Sequence, residues 1–239
     1  MSAFPYALQE DSLPRLGLIV LQVDETIEQD FRRLFAPDIA RLHVSRIPSG
    51  AELNPETIAT METTLPAAAA LLPEGLDVVG YACTSGTTLI GADRVRELVT
   101  GATQARAVTD PLTAALAQCR ALGLGRVGIV SPYIASVADP IRAAFQAHGI
   151  AVPATLSFGE EVEARVARIA PASIADAARA LARNATLDGI FLSCTNLRTL
   201  DMLDPLAREL GLPVLSSNQC LAWHMASLCK IASPWGIMA

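Results

Sequence analysis

The sequence predicts an α/β protein made of two lobes, each built on a parallel sheet, that face each other across a cleft about a pseudo-twofold axis. Short apolar runs alternate with helical patterns, which is typical of βαβ units. An internal repeat is the second observation: Leu76-Asp77 followed by Cys83-Thr84 recurs 111 residues later as Leu187-Asp188 followed by Cys194-Thr195. The glycines of the runs LGLIV and VGIV share this offset. Two similar halves therefore each bring a cysteine to the end of a buried strand.

The apolar runs and the helical patterns define the elements in order. Strands are predicted near 16–22, 41–47, 76–82, 104–108, 126–131, 151–157, 187–193 and 213–216. Helices are predicted near 26–36, 55–72, 88–100, 110–122, 135–148, 161–184 with Pro171 as a candidate break, 199–210 and 219–230. Asn54 and Asp110 each precede a proline, the pattern of an N-cap followed by proline at the first helical position. The glycines of GLGRVG precede a strand, where a dinucleotide fingerprint would follow one, so they indicate a helix end and turn.

The repeat places the boundary between the lobes near residue 110, because helix 110–122 leads into the strand that repeats the first one. We expect residues 1–109 with a returning C-terminal helix at 215–239 to form one lobe, and 110–214 to form the other. Ligands of open parallel sheets bind beyond the carboxyl ends of the strands. Both cysteines fall there, so Cys83 and Cys194 are expected to approach a shared cleft from opposite sides.

Composition narrows the class of function. Of 239 residues 51% are hydrophobic and 5% aromatic, which suits strands buried between two helix layers. The net charge of −6, without a basic run, argues against a nucleic-acid partner. Five cysteines without a Cys-x-x-Cys motif indicate free thiols, and three scattered histidines make a metal site improbable. We expect no membrane span and no signal peptide, and hence a cytoplasmic protein.

The segments that follow the two repeated strands carry the chemistry. The first reads CTSGTT from Cys83, and the second reads SCTNLRT from Ser193. Small hydroxyl residues and backbone N–H groups at a helix N-terminus can hold a carboxylate, and the same environment lowers the pKa of a thiol. Asn196 can also donate to a carboxylate, whereas Arg198 is expected to face solvent. The plain alternative for either segment alone is a buried structural cysteine beside a hydroxyl-rich cap, but the repeat weakens that alternative.

These two segments, together with Pro132-Tyr133 after VGIVS and the segment SSNQ from Ser216 after PVL, resemble the aspartate/glutamate racemase superfamily. Within it they are most similar to the branch of maleate cis-trans isomerase and arylmalonate decarboxylase. The resemblance implies two Rossmann-like lobes, no metal or organic cofactor, and a homodimer or higher homo-oligomer. Cys83 and Cys194 match the two catalytic cysteines of the isomerases and racemases, whereas the decarboxylases keep only the second.

The resemblance also assigns binding roles. Tyr133 matches a tyrosine that hydrogen-bonds a substrate carboxylate, and Thr84 and Ser85 match donors beside the first cysteine. Thr84 and Asn196 stand where amino-acid racemases have Asn and Glu, which favours the isomerases. Thr195 completes the set of donors expected to stabilise enolate-like charge on the substrate.

Two acids depart from the isomerase pattern. Asp24, in LQVDETIE, stands where the isomerases have an asparagine, and a carboxylate there would repel a substrate carboxylate. Glu163 falls near a second asparagine of the isomerases, with a helix-surface charge as the alternative interpretation. Both acids would suit a substrate that carries an amino group or fewer negative charges, so maleate itself is in doubt.

The resulting hypothesis is a cofactor-independent isomerase that acts on a small carboxylate through two opposed cysteines. Three alternatives stay open: an amino-acid racemase, an arylmalonate-type decarboxylase with one essential cysteine, and a non-catalytic protein that binds a small molecule.

Overall fold

Two four-stranded parallel sheets organise the computed structural model, which describes residues 3–9 and 12–232. The elements of the first sheet region are β1 (Arg15–Leu21), α1 (Ile27–Leu34), β2 (Arg41–Ile47), α2 (Pro55–Ala69), β3 (Val78–Ala82), α3 (Thr84–Ile90), α4 (Ala92–Ala102) and β4 (Val108–Thr109). Those that follow are α5 (Pro111–Ala121), β5 (Val127–Ser131), α6 (Ala135–Ala147), β6 (Thr155–Ser157), α7 (Glu163–Val166), α8 (Pro171–Asn184), β7 (Gly189–Leu192), a 3-10 turn (Leu200–Met202), α9 (Leu203–Leu210), β8 (Val214–Ser216) and α10 (Ser217–Leu228).

The two sheets have the same topology. Their strand orders are β2-β1-β3-β4 and β6-β5-β7-β8, and every pair is parallel. The register repeats as well. Gly17 pairs with Val79, and Gly128 pairs with Ile190, so both residues of the second pair lie 111 positions after those of the first. The prediction of an α/β fold with two similar lobes is therefore confirmed.

The Leu-Asp part of the repeat serves the fold. A Cβ on Gly17 would lie 2.8 Å from Leu76 Cδ1, and a Cβ on Gly128 would lie 2.8 Å from Leu187 Cδ1, so each leucine packs directly over a strand glycine. The following aspartates bind the backbone at the strand entrance. Asp77 accepts a hydrogen bond from the N–H of Arg15 at 2.8 Å, and Asp188 accepts one from the N–H of Gly125 at 3.1 Å. Only the Cys-Thr part of the repeat lies at the ligand-binding ends of the strands.

The element predictions hold except at a few places. Asn54 and Asp110 are N-caps of α2 and α5, and the helix predicted over 161–184 is broken before Pro171. The strands predicted over 104–108 and 151–157 are only two and three residues long.

The helix predicted over 88–100 is wrong. The chain forms two helices there, α3 and α4, which meet at Gly91 with a φ of 96°. Helix α3 begins earlier than predicted because the thiol of Cys83 acts as its N-cap and accepts a hydrogen bond from the N–H of Gly86 at 3.1 Å. Cysteine is not among the residues from which a helix start is ordinarily predicted.

The lobes meet where the strands end. The N–H of Glu163 donates to the carbonyl of Ala51 at 3.1 Å, and the N–H of Leu53 donates to the carbonyl of Glu161 at 3.1 Å. Helix α10 packs on α1 and β3 of the first lobe, on β8 of the second, and on α5. Residue 110 is the proposed boundary between the lobes, because the chain passes there from the first sheet to the helix that precedes the second. In the part of the chain that the structure describes, no helix is long and apolar enough to cross a membrane.

We expect Gly17→Ala to destabilise the first lobe, because its Cβ would overlap Leu76 and lie within 3.0 Å of Leu72 and Val79 side-chain atoms. The expected loss in the free energy of unfolding is about 1–3 kcal/mol, measured by urea denaturation. Gly101→Ala in α4 is the matched control, since its Cβ would meet nothing within 4 Å and alanine favours a helix. Equal stabilities for the two variants would contradict the packing role of the repeat.

Candidate active site

Two buried cysteines lie at the ends of equivalent strands. Cys83 follows β3 and is 2% exposed; its Sγ accepts from the N–H of Gly86 and lies 3.6 Å from Ser85 Oγ. Cys194 follows β7 and is 3% exposed; its Sγ accepts from the N–H of Asn196 at 3.3 Å. Cys194 has a φ of 140°, a conformation that is costly for a residue with a side chain and that occurs most often at functional sites. All five cysteines are free thiols.

The residues beside the two cysteines are joined by hydrogen bonds. The hydroxyl of Ser217, at the start of α10, lies 2.8 Å from the hydroxyl of Thr84 and accepts from the N–H of Cys194 at 3.0 Å. The hydroxyl of Thr195 donates to the carbonyl of Ala82 at 3.4 Å. The structure therefore brings the two Cys-Thr segments together. In the sequence, Ser217 stood out only as part of the segment SSNQ.

Tyr133 lies beside Cys194. It follows β5, is buried, and interacts with the thiol of Cys194, whose pKa it lowers. Burial raises the pKa of Tyr133 well above 10, and the neighbouring Cys194, Cys83 and Glu163 raise it further. The phenol is therefore a hydrogen-bond donor at neutral pH.

Asp24 lies on the side of Cys194. Its Oδ1 accepts hydrogen bonds from the N–H groups of Thr26 at 2.8 Å and Ile27 at 2.9 Å, where α1 begins. Its Oδ2 is buried without a hydrogen-bond partner, and the Thr195 side chain is close enough to influence the carboxyl group. Burial raises the pKa of Asp24, and the two backbone N–H groups offset part of this rise.

Glu163 is a buried member of the site, and the interpretation of this residue as a helix-surface charge is wrong. It is 2% exposed, and its Oε2 accepts a hydrogen bond from Asn196 Nδ2 at 2.7 Å. Burial raises the pKa of Glu163 to about 7, while Asn196 lowers it and Asp24 raises it. Nothing in the local pattern GEEVEARV separates Glu163 from its exposed neighbour Glu161, because a four-residue helix is too short to show a buried face.

Asn196 is fully engaged with the protein. Its Nδ2 donates to both the carbonyl and the carboxylate of Glu163, and its Oδ1 accepts from the N–H of Glu25 at 2.9 Å. Its carbonyl accepts from the hydroxyl of Thr26 at 2.9 Å. The side chain that the sequence presented as a donor to substrate thus links the second lobe to the start of α1 and orients Glu163.

The expected lowering of the thiol pKa is wrong. Burial raises the pKa of Cys83 to about 11 and that of Cys194 well above 9, and Glu163 raises both further. The hydrogen bonds from Ser85, Gly86 and Asn196 offset only part of this effect. Desolvation exceeds the capping interactions because both thiols are withdrawn from water and no cation faces them among the groups that influence their pKa. Both cysteines are therefore neutral thiols at neutral pH.

A second layer of polar contacts supports Thr195. Asn218 Nδ2 donates to the carbonyl of Thr195 and to Asp30 Oδ2, both at 2.8 Å. Burial raises the pKa of Asp30 to about 6. Sequence reasoning did not single out Asp30, although a signal was present: an acid between Ile27 and Phe31 lies on the apolar face of α1.

The two thiols have unlike surroundings. The hydroxyl of Ser85 lies beside Cys83, whereas Asp24 is among the main influences on Cys194 only, and Glu163 influences both thiols. The structure groups all eight residues that the sequence singled out: Asp24, Cys83, Thr84, Ser85, Tyr133, Cys194, Thr195 and Asn196. Within residues 3–9 and 12–232, no group of three or more His, Cys, Asp or Glu side chains could hold a metal ion.

Comparison with known proteins shows similarity to arylmalonate decarboxylases and to maleate isomerases. A family model described as arylmalonate decarboxylase matches residues 49–234. The chain is 32% identical over 224 residues to an arylmalonate decarboxylase from Bordetella bronchiseptica, covering 92% of each protein. It is 25% identical over 224 residues to a maleate isomerase from Nocardia farcinica, covering 88% of each. A solved structure of the Nocardia farcinica maleate cis-trans isomerase, with a covalently bound succinylcysteine intermediate, superposes with a TM-score of 0.81 at 24% identity, covering 92% of this chain and 94% of that one.

The raised pKa of Glu163 has a measurable effect on stability. Glu163 binds its proton more tightly in the folded chain, with a pKa of about 7, than in the unfolded chain, near 4.5. Its contribution to the free energy of unfolding is thus fully present below pH 4.5 and is lost as pH rises to about 7. Relative to Glu163→Gln, wild type should lose about 3 kcal/mol across this window, measured by urea denaturation at a series of pH values. Parallel stability curves would contradict the burial of this acid.

Proposed function

The chain belongs to the arylmalonate decarboxylase family, and on that basis we propose that it is a cofactor-independent isomerase acting on a small carboxylate through Cys83 and Cys194. Its relatives include a decarboxylase and an isomerase, so family membership alone leaves the reaction open. One observation favours the isomerase: the ends of both β3 and β7 carry a buried cysteine, and the residues beside them are hydrogen-bonded through Ser217. Chemistry on two faces of a substrate needs two such groups.

An alkene isomerisation on this site would run through a covalent adduct. Cys83, as thiolate, forms a C–S bond to one alkene carbon, and Cys194 gives its thiol proton to the other carbon. The former double bond is now single and rotates. Cys194 then takes a proton back from carbon, the C–S bond breaks, and the trans alkene leaves with Cys83 again a thiolate. A covalently bound succinylcysteine intermediate in the isomerase relative is consistent with such an adduct.

A 1,1-proton transfer would use the same two groups. One cysteine as thiolate removes the α-proton of the substrate, and the opposing thiol delivers a proton to the other face. The two thiols exchange protonation states in each turnover. In either reaction negative charge develops on the substrate carboxylate, and neutral donors such as Ser85 and the phenol of Tyr133 would stabilise it.

Thiolate formation is the energetic problem in both reactions. Because the pKa of Cys83 is about 11, only about one molecule in ten thousand carries that thiolate at pH 7. Substrate binding must therefore be coupled to transfer of the thiol proton to another group. Tyr133 stays protonated, and Glu163, with a pKa of about 7, is the buried group in the site that can accept a proton near neutral pH.

We expect Cys83→Ser and Cys194→Ser each to lower kcat/KM by at least about 10³-fold with folding intact, because each thiol performs a step that a serine hydroxyl of much higher pKa cannot. Circular dichroism checks the fold. Cys229→Ser is the control, since Cys229 lies at the C-terminal end of α10 and is only partly buried. Full activity in either active-site variant would remove the two-thiol mechanism, and loss in Cys194→Ser alone would point to the decarboxylase.

Proton NMR in D₂O identifies which reaction occurs. The purified protein is incubated with a panel of cis-alkene dicarboxylates, amino acids and disubstituted malonates. Conversion of cis to trans signals indicates the alkene isomerase. Deuterium at an α-carbon of a substrate that keeps its carboxylate indicates 1,1-proton transfer. Either result supports an isomerase. Release of carbon dioxide from a malonate would instead assign the decarboxylase, and binding without any reaction would assign a sensor.

A further inference from the structure

We propose that the substrate is a small zwitterion, whose carboxylate binds beside Cys83 and whose protonated amine binds against Asp24 and Glu163 on the side of Cys194. This inference rests on the proposed function, because it assigns a substrate class to the same two-cysteine site. It departs from the dicarboxylate and malonate chemistry in the names of the relatives. Three features of the site support it.

The first feature is an unsatisfied carboxylate oxygen. Asp24 is 4% exposed, and its Oδ1 is bound by the first N–H groups of α1. Its Oδ2 is buried without a hydrogen-bond partner, and the carboxyl group as a whole is influenced by the Thr195 side chain and acts on the thiol of Cys194. A buried oxygen without a partner is costly for the folded protein. An N–H donor from a ligand would satisfy it.

The second feature is the sign of the charges that act on the two thiols within residues 3–9 and 12–232, which is negative. The charged neighbours that influence Cys83 and Cys194 are Glu163 and, for Cys194, Asp24. Arg46 is the one cation among the main influences on Asp24, and its guanidinium is bound by backbone carbonyls and by Glu28. A ligand with two carboxylates would add two negative charges beside this desolvated pair of acids, and nothing would balance them. An ammonium group would instead supply a positive counter-charge.

The third feature is the difference between the two ends of the site. Near Cys83 the hydroxyl of Ser85 lies beside the thiol, and the buried hydroxyl of Thr87 on α3 has no hydrogen-bond partner; Glu163 is the one acid among the main influences on this thiol. The two hydroxyl groups can donate to one carboxylate. Near Cys194 the phenol of Tyr133 is joined by two acids, Asp24 and Glu163, which accept hydrogen bonds when ionised. Asp24 is a main influence on Cys194 but not on Cys83, so the end of the site at Cys194 is the more acidic one and complements an ammonium group.

Orientation of Glu163 fits the same role. Asn196 occupies Oε2 and the backbone carbonyl of Glu163, and Asn196 in turn is fixed by the N–H of Glu25. The amide therefore holds the carboxyl group in place from one side and presents no donor of its own to a ligand. An ammonium group near Glu163 would also favour the ionised form of the acid over the protonated one.

Matched ligand pairs test the proposal independently of turnover. Binding is measured by calorimetry at pH 7.5 on the Cys83→Ser/Cys194→Ser double variant, which cannot react. The pairs are alanine with propionate, and aspartate with succinate; maleate is the third dicarboxylate probe. We expect at least one amino acid to bind tenfold or more tightly than its partner that lacks the amine. Asp24→Asn and Glu163→Gln, each added to the double variant, should each reduce this preference at least tenfold.

Glu161→Gln is the control for both variants, because Glu161 is exposed two residues from Glu163 and its removal should leave the preference unchanged. Maleate, succinate or propionate binding as well as the amino acids, or no binding by any amino acid, would overturn the proposal. An unchanged preference in both Asp24→Asn and Glu163→Gln would also overturn it. If the protein prefers amines but its turnover does not need the cysteines, only the proposed reaction is contradicted. If it turns over maleate through the cysteines and shows no amine preference, only the zwitterionic substrate is contradicted.

Discussion

The hydroxyl of Ser217 lies between the two cysteine segments, where it accepts a hydrogen bond from the N–H of Cys194 and contacts the hydroxyl of Thr84. This contact joins the end of β3 to the end of β7 at the start of α10. Cys194 has a φ of 140°, and a conformation of this kind costs on the order of 1–3 kcal/mol. The bond from its N–H is one of the interactions that hold this backbone. The contact between the two cysteine segments therefore depends on a helix that begins with a small polar residue.

Closure of these contacts removes water from the thiols, and desolvation then determines the protonation state of the whole site. Cys83, Cys194, Tyr133, Asp24 and Glu163 all have raised pKa values because each is buried. A ligand that enters such a site changes several protonation equilibria at once, since the groups influence one another. At neutral pH the two thiols and the phenol are protonated and uncharged. This protonation state suits chemistry in which a proton leaves one thiol and returns through another.

The sequence identified the fold and most of the site for a physical reason. Repeated strands need repeated packing, so Gly17 with Leu76 and Gly128 with Leu187 recur at one spacing, and each strand end then carries a cysteine. Burial of a single polar residue leaves a weaker trace. The direction of the thiol pKa shift depends on the balance between desolvation and capping donors. The sequence shows the donors but not the desolvation.

Glu163 could not be distinguished from a surface charge for a related reason, since its burial comes from contacts with Ala51 and Asn196, which are distant in sequence. The start of α3 was missed because a thiol replaces the usual oxygen cap. The break at Gly91 needs a φ of 96°. Glycine permits this conformation, but a glycine in the sequence does not by itself predict it. Pairwise contacts of this kind appear only when the chain is folded.

Asn196 shows how a symmetric fold acquires an asymmetric site. Cys83 and Cys194 occupy equivalent positions of the repeat, but the residues two further on differ: Ser85 places its hydroxyl beside the thiol, whereas Asn196 turns its side chain to Glu163. The backbone N–H of Asn196 still donates to Cys194. One position therefore both caps the second thiol and fixes an acid near it, while its counterpart leaves a neutral donor. The two halves thus share strand order and register but differ in the side chains and charges beside their cysteines.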